Sequence, residues 1–433
     1  MSSENERHIP RRQFLVGSVQ FGAALAISQL SAAYGQGQKE AKVPKQIQLI
    51  VHSLNDTYFK QWIAGLNLAA AAHDLKPVIN ASNADVANHI QILHDAATRG
   101  TKLYNGVSPA DSAILEIAKI CNDNQMWMAH AHAHQPWVMV SALGKYYVHY
   151  HAANEIQQSY LVAKKMFDAI GGSGKVINMK GIPGHGASIL RDVGFHKAAS
   201  EFPGIEIVAE DYGKLNRVDT SPVFSGLLTA HPDIKAVTAA DDDSAMGCIA
   251  ILKERRLKDV KVAAIDATQE FLQNVQAGGN AFGTVSILGT WSGVWLATKV
   301  WDASQGVELD PLERMMISGS LVITGADAAK AFEELEYKGA RSPIDAVSMS
   351  RAANPTSWAP QNALRVFGPD EPDSWWTGRG KAAPRPSNFA PPKDWSSSRA
   401  ANLDKINQMY ATRLAAKDPY QGIRSHPGVV SVI

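Results

Sequence analysis

From residue 45 to about residue 324, apolar and polar positions follow two periodicities, one typical of strands and one typical of helices. Ten short runs rich in β-branched residues are separated by longer segments of helical spacing. In one such segment Val86, Ile90 and Leu93 lie three or four positions apart, so they share one face of a helix. Strict alternation of strand and helix predicts an α/β fold with parallel sheets covered on both faces. Ten strands fit two sheets better than one.

Polar side chains stand where the predicted strands end. In parallel sheets, ligands bind just beyond the carboxyl ends of the strands, where loops and helix N-termini converge. This rule selects candidate binding residues after six of the strands: His52, Asn55 and Asp56; Ser108; His130 and His132; the loop 181–186; Asp241, Asp242 and Asp243; and Asp266. Two sheets with polar strand ends predict two lobes facing one cleft, a geometry that suits closure around a small polar molecule.

The first 40 residues have the order of an export signal. Arg11 and Arg12 precede a mildly apolar run from Phe14 to Leu30, which ends in small residues. We interpret this segment as a twin-arginine signal with its linker, and a basic surface patch is the alternative. The interpretation predicts a mature protein in the periplasm, exported by the twin-arginine route.

Composition excludes several classes of partner. The net charge of +1 creates no field that would attract nucleic acid or anionic lipid. No segment after the signal is apolar over a length that would cross a bilayer, so we expect a protein that is not embedded in a membrane. The two cysteines, Cys121 and Cys248, both lie in apolar helical patterns, and we expect two separate buried thiols.

Several stretches carry a specific likeness in order and spacing. They include "GIPGHGASILRDVGF", "LLTAHPDIKAVTAADDDSAMGCIAIL" and "VAAIDATQEFLQNVQAGGNAFGTVS". Over about residues 45 to 325 the chain resembles the ribose/galactose-type periplasmic sugar-binding proteins, the type I substrate-binding components of ABC importers. The resemblance implies two Rossmann-like lobes joined by a three-segment hinge, with 45–152 plus 288–316 in the first lobe and 153–287 plus 317–325 in the second. It implies capture of a small polar solute, a carbohydrate or polyol, for an importer permease, with neither catalysis nor a cofactor.

The resemblance also assigns ligand-binding positions. After the first strand the family places an asparagine and aromatic residues, and at the ends of later strands it places further polar groups. The matching positions here are Asn55, Asp56, Tyr58 and Phe59, then Asp241, Asp266 and, near a family glutamine, Ser286. Aromatic faces can stack on the C–H side of a sugar ring while carboxylates take its hydroxyls. Core packing is the alternative for Tyr58 and Phe59, and a helix cap, at Asp243 or Ser244, is the alternative in the aspartate run.

Two arginines of the ribose binders are replaced here. Ala131 and His132 stand where those proteins carry Asp-Arg, and Ile189 stands near the other ligand arginine, whereas Arg191, structural in the family, remains. The chain lacks both arginines that would donate paired hydrogen bonds to the ligand, and it keeps the acidic residues. This difference argues against ribose itself as the solute. The solute could be another sugar, a polyol or a molecule that carries positive charge.

The stretch "NQMWMAHAHAHQPW" places His130, His132 and His134 at every second position. In an extended strand the three imidazoles would share one face and could hold zinc or copper. The family resemblance instead gives this strand end to the solute, which His130 and His132 would contact by hydrogen bonds. We expect the second arrangement, with no metal, and a turn after His132 would separate His134 from the other two.

Residues 326–433 form a Pro/Trp-rich extension beyond the resemblance. Trp358, Trp375, Trp376 and Trp395 predict a strap that lies on the lobes, because exposed indoles would leave a large apolar patch. The leading functional hypothesis is a solute-binding protein of an ABC importer. The alternative is a periplasmic sensor that presents its liganded state to a receptor kinase or chemoreceptor, and a metal-binding protein is the third candidate.

Overall fold

The structure, a computed structural model, describes residues 44–368, 384–387, 389 and 397–433, with side chains from residue 402 onward in the last range. The predicted signal segment lies outside the described residues, as do Trp375, Trp376 and Trp395. No helix in the described ranges is both long enough and apolar enough to cross a membrane.

All ten predicted strands are present, and four more complete the sheets. The strands are β1 (Gln46–Val51), β2 (Lys76–Ala81), β3 (Leu103–Gly106), β4 (Trp127–Ala131), β5 (Tyr147–Ala153), β6 (Ser173–Lys180), β7 (Gly204–Tyr212), β8 (Ala236–Ala239), β9 (Lys261–Ala263), β10 (Ala281–Ser286), β11 (Met315–Ser318), β12 (Ser320–Thr324), β13 (Leu364–Val366) and β14 (Val429–Val432). They form two seven-stranded sheets, ordered β13-β11-β5-β4-β3-β1-β2 and β14-β12-β10-β9-β8-β6-β7.

Both sheets are parallel except at one edge. There β13 runs antiparallel to β11 in the first sheet, and in the second β12 pairs antiparallel with both β10 and β14. Inner strands such as β3 and β5 are buried along their whole length, as expected where helices cover both faces. The predicted α/β fold with two parallel lobes is confirmed.

Helices cover the two faces of each sheet. They are α1 (Thr57–His73), α2 (Val86–Thr98), α3 (Ile114–Asp123), α4 (Glu155–Ala169), α5 (Gly186–Ser200), α6 (Arg217–Ala230), α7 (Asp242–Glu254), α8 (Gln269–Ala277), α9 (Gly289–Ser304), α10 (Ala326–Glu333), α11 (Ala346–Met349), α12 (Ser397–Ala416) and α13 (Gln421–Arg424). On α2 the buried residues include His89 and Leu93, whereas Val86 is exposed at the first turn.

Two glycines let α1 and α9 pack at very short distance. A Cβ built on Gly65 would lie 2.0 Å from the carbonyl oxygen of Thr290, and one built on Gly293 would lie 2.1 Å from that of Trp62. Any larger side chain would therefore force the helices apart. This contact fixes α1, whose N-terminus carries several of the predicted binding residues.

Three segments cross between the lobes. The chain leaves the first sheet after β5, returns to the first lobe between β10 and α9, and passes from β11 to β12 through Gly319. Leu288 at the second crossing has a left-handed backbone with φ of 52°. The predicted three-segment hinge is therefore present.

The C-terminal extension adds two further crossings beside the hinge. Helix α11 packs on α1, β13 extends the first sheet, and β14 extends the second. Within this region Trp358 is buried, with the guanidinium carbons of Arg351 and Arg413 at 4.1 and 4.5 Å from its ring centroid. The hydroxyl of Tyr410 on α12 donates to Glu313 of the first lobe at 2.9 Å. The described part of the extension thus contacts both lobes.

Candidate functional site

Side chains of both lobes meet in a small chamber at the carboxyl ends of the two sheets. Its volume is about 30 Å³, which is room for about one water molecule. The residues lining this chamber are His52, Asp56, Tyr58, Phe59, Val107 and His132 from the first lobe and His185, Ala187, Arg191, Leu215, Asp241 and Asp266 from the second. Seven of the predicted binding residues are among them.

A larger outer cleft of about 680 Å³ lies against the chamber and shares His52, Asp56 and Leu215 with it. Asn55, another predicted binding residue, lines this outer cleft. A sugar ring is larger than the chamber, so its entry requires the lobes to move apart or the lining side chains to move aside.

The lobes already contact one another around the chamber. Asp243 of the second lobe accepts hydrogen bonds from the hydroxyl and the backbone N–H of Thr57, at 2.9 and 3.2 Å. Gln61 donates across the cleft to the carbonyl of Asp266 at 3.4 Å, and Asp111 accepts from the N–H of Gly186 at 3.0 Å. The structure therefore shows a closed arrangement of the two lobes.

Two predicted binding residues lie outside the lining of both cavities. His130 is fully buried in the core of the first lobe, with its ring centroid 6.3 Å from that of Tyr104. Ser286 is buried at the second hinge crossing, where its hydroxyl accepts a hydrogen bond from the N–H of Leu288 at 3.2 Å. In this conformation neither side chain can touch a solute in the chamber.

The histidine repeat does not keep one face. Strand β4 ends at Ala131, and His132 turns the chain with a left-handed φ of 63°. His134 is thereby directed away, and its N–H donates to Asp111. Among the described residues, the histidines of this stretch do not bring three ligand atoms close enough to hold one metal ion.

An ion pair forms the floor of the chamber. Arg191 on α5 donates to the buried carboxylate of Glu155 on α4 at 2.8 Å and to the carbonyl of Ala240 at 2.7 Å. One of its nitrogens also lies 3.9 Å from Asp266. Glu155 in turn lies 3.4 Å from Nδ1 of His132. Burial alone would raise the pKa of Glu155, but Arg191 and His132 outweigh this effect and lower it.

The aromatic wall is tied to this floor. The hydroxyl of Tyr58 and Nε2 of His132 are 2.8 Å apart, and the rings of Tyr58 and Phe59 have centroids 5.4 Å apart. Asp56 caps α1 by accepting from the N–H groups of Tyr58 and Phe59, at 2.8 and 3.2 Å. Helix capping therefore fixes both aromatic rings at the cleft.

Asp266 has a strained backbone. Its φ is 129°, a region that non-glycine residues rarely adopt, and its N–H is held by the carbonyl of Val285 at 2.7 Å. Such strain persists where the surrounding structure fixes the residue, and it is concentrated at functional sites. Burial raises the pKa of the Asp266 carboxyl well above its usual range, although Arg191 opposes this.

Asp241 directs one carboxylate oxygen to its own helix. Its Oδ1 accepts from the N–H of Ser244 at 3.0 Å, so Asp241 itself is the N-cap of α7. The sequence placed this cap at Asp243 or Ser244, which is wrong because Asp242 already begins the helix. Burial, reinforced by the charge of Asp243, raises the pKa of Asp241 to about 6.

His52 supplies an uncharged group at the boundary of chamber and outer cleft. Burial lowers its pKa to about 4, so the ring is neutral at physiological pH. Its Nε2 is buried and has no hydrogen-bond partner among the described residues. Its ring lies 5.4 Å from that of His185, a chamber residue that was predicted only as part of the loop 181–186. Arg191 and Leu215 were not predicted as binding residues.

The sequence from residue 47 to residue 305 matches the family model described as periplasmic binding protein domain. The ribose import binding protein of Escherichia coli K12 is 27% identical over 235 residues, which are 54% of this chain and 76% of that protein. The D-apiose import binding protein of Actinobacillus succinogenes is 24% identical over 54% of this chain and 74% of its own length. These relatives are named as import binding proteins, in line with the expectation of a binding protein and not an enzyme.

Solved structures show the same fold. A twin-arginine translocation pathway signal protein from Burkholderia phytofirmans superposes with a TM-score of 0.64 at 19% identity, covering 66% of this chain and 91% of that one. An ABC transporter solute-binding protein from Actinobacillus succinogenes with bound D-allose gives a TM-score of 0.59 at 20% identity, over 66% and 99%. Because it has two such lobes and matches the family model over more than half of its length, this chain belongs to the periplasmic binding protein domain family.

Proposed function

We propose that this protein captures a small polar solute, a sugar or a polyol-like molecule, between its lobes and delivers it to an ABC importer. The observation that carries the proposal is the chamber, in which both lobes contribute hydrogen-bonding groups around two aromatic rings. Carboxylates and imidazoles suit hydroxyl groups, and Tyr58 and Phe59 suit the C–H face of a ring. The import binding proteins that match this chain support the same function.

Closure of the lobes would couple binding to delivery. A solute held by Asp56, Tyr58 and His132 on one side and by Asp241 and Asp266 on the other contacts both lobes only when they are closed. Such a solute binds the closed form more tightly and shifts the population towards it. The hydrogen bonds between the lobes would then hold the protein closed, and the importer would bind the surface of this closed form.

The route of export is part of the proposal. Arg11 and Arg12 with the apolar run behind them support a twin-arginine signal and a periplasmic site of action. The similar Burkholderia structure carries that pathway in its description. Fusing residues 1–40 to a reporter that folds before export tests this, since replacing both arginines by lysine should abolish export.

Mutation of the chamber acids tests the binding site. We expect Asp266→Ala and Asp241→Ala each to weaken solute binding by about 1–3 kcal/mol through lost hydrogen bonds to a buried ligand. His132→Ala should change solute affinity more than metal content. Intrinsic fluorescence reports binding, because Trp62 lies beside Tyr58, with ring centroids 6.1 Å apart. Asp259→Ala, at an exposed site away from the cleft, is the control. Unchanged affinity in both aspartate variants would refute the assigned site.

A further inference from the structure

The chamber holds more carboxyl groups than positive charges. Asp56, Asp241 and Asp266 line it, whereas Arg191 is the one lining side chain with a fixed positive charge among the described residues. That charge is already met by Glu155 at 2.8 Å. Arg191 also lies 3.9 Å from Asp266, so this single cation is shared between Glu155 and the three aspartates of the chamber.

The layer beneath the chamber adds to the imbalance. Asp242 is fully buried, and it accepts hydrogen bonds from the hydroxyl of Thr284 at 2.7 Å and from the N–H and hydroxyl of Thr268 at 2.7 and 3.1 Å. Asp243 differs, because Arg217 pairs with it at 2.9 Å. Asp243 therefore has a counter-charge within the protein, whereas Asp242 is held only by neutral hydrogen-bond donors.

Buried carboxylates without a counter-charge are unfavourable, and two events relieve them. They can bind protons, or a cation can enter among them. Burial favours the first event, since it raises the pKa of Asp241 to about 6 and the pKa of Asp266 well above its usual range. Burial and the nearby Asp241 and Asp243 raise the pKa of Asp56 too, and its partial solvent exposure moderates the effect.

We propose that the solute carries a positively charged nitrogen, as in an amino sugar or an aminated polyol, and that Asp56, Asp241 and Asp266 surround this nitrogen. The proposal rests on the proposed function and narrows its solute class. The rings of Tyr58 and Phe59 line the same chamber, and aromatic faces attract cations. The unpartnered Nε2 of His52 is left for a hydroxyl group of the same molecule.

The sign of the pH dependence separates a cationic solute from a neutral one. A cation competes with protons for the aspartates, so its affinity rises with pH. The rise ends at the pH where the aspartates of the unbound protein are already ionised. A neutral polyol that accepts hydrogen bonds from protonated aspartates loses affinity over the same range. The titratable and charged groups around these carboxyls are His52, Tyr58, His132, His185 and Arg191 in the chamber lining, with Glu155, Asp242 and Asp243 beside it.

Matched pairs of neutral and aminated compounds test the proposal. The probes are D-glucitol against 1-amino-1-deoxy-D-glucitol, D-glucose against D-glucosamine, and myo-inositol against an amino-inositol, titrated calorimetrically into the full mature protein at pH 5.5 and 7.5. We expect at least one aminated compound to bind at least about tenfold tighter than its neutral partner, and tighter at pH 7.5 than at pH 5.5. Asp266→Asn should reduce that preference at least fivefold, and Asp241→Asn, which keeps the helix cap, is the second variant. Asp259→Asn should leave the preference unchanged.

The outcomes distinguish failure of the cationic-solute proposal from failure of solute capture. Binding of a neutral compound with equal or greater affinity, or binding that weakens as pH rises, overturns the cationic solute and leaves solute capture in place. Absence of binding by every aminated compound also overturns the cationic solute. If, in addition, neither the neutral compounds nor a polar cell extract gives a bound species, solute capture fails as well.

Discussion

Replacing Arg191 by methionine should expose how the chamber floor is stabilised. Methionine keeps much of the volume of the side chain and removes its charge. The change leaves Glu155 fully buried and removes the cation at 2.8 Å from its Oε2, which keeps only the neutral donor Gln158; it also removes the hydrogen bond to Ala240 at 2.7 Å. Removing one partner of a buried ion pair costs roughly 3–5 kcal/mol, because the other charge is left uncompensated. We expect a loss of this size in the free energy of unfolding at pH 7.

The loss should depend on pH in a defined direction. In the wild type the pKa of Glu155 is lowered, so its stabilising contribution is present above the unfolded pKa and is lost as pH falls through the lower folded value. In Arg191→Met burial should instead raise that pKa, so stability should be lost as pH rises. The difference between variant and wild type should therefore shrink by at least half between pH 7 and pH 4.

Urea unfolding followed by circular dichroism measures the free energy of unfolding at pH 7 and its change between pH 7 and pH 4. Adding Glu155→Gln to the Arg191→Met variant should recover about 1–3 kcal/mol at pH 7, because it removes the uncompensated charge. Lys119→Met breaks an exposed i,i+4 ion pair with Asp123 and should change stability by less than about 1 kcal/mol. A loss below about 1 kcal/mol for Arg191→Met, or an equal loss at pH 7 and pH 4, would refute the reasoning.

Three further changes test the packing, the chamber acids and the extension. Gly293→Ala should destabilise the protein by at least about 1–3 kcal/mol in thermal unfolding, since its Cβ would lie 2.1 Å from the carbonyl of Trp62. Asp241→Asn keeps a cap and removes an acid whose pKa is raised from 3.8 to about 6. Because an acid with a raised pKa contributes less stability as pH rises, the variant should gain about 2 kcal/mol relative to wild type between pH 4 and pH 7. Tyr410→Phe should cost about 1–3 kcal/mol by removing the hydrogen bond to Glu313.

Each of these changes has its own control. Gly226→Ala, on α6 with no atom within 4 Å of the added Cβ, should be neutral or slightly stabilising, and equal effects at Gly226 and Gly293 would contradict the packing argument. An Asp241→Asn variant with the pH slope of the wild type would mean that the raised pKa belongs to another group. Unaltered stability in Tyr410→Phe would mean that α12 is not held by this contact.

The strand-end rule predicted many of the chamber residues because it needs only the order of strands. Parallel strands end at one edge of a sheet, so His52 and Asp56 were expected at that edge of the first sheet and Asp241 and Asp266 at that edge of the second, and the expectation of two lobes facing one cleft brought the two sets together. The same rule could not show that Arg191 reaches Glu155, which is 36 positions away, because helix spacing does not tell which neighbouring helix a side chain faces.

The differences have local physical causes. Alternation predicted a common face for His130 and His132, but the left-handed backbone at His132 ends the strand and leaves His130 in the core. The edge strand β13 is only three residues long, and it forms because β11 presents an unpaired edge. A proline-rich composition gave no signal for that pairing, so the extension was predicted as a strap without strands in either sheet.

Native mass spectrometry of the mature, exported protein, purified without added sugar or chelator, tests solute capture most directly. The account predicts the mass of one small organic solute per chain, retained from the cell and lost in Asp266→Ala. A zinc or copper mass that disappears when His130 and His132 are replaced, with no organic solute present, would contradict it.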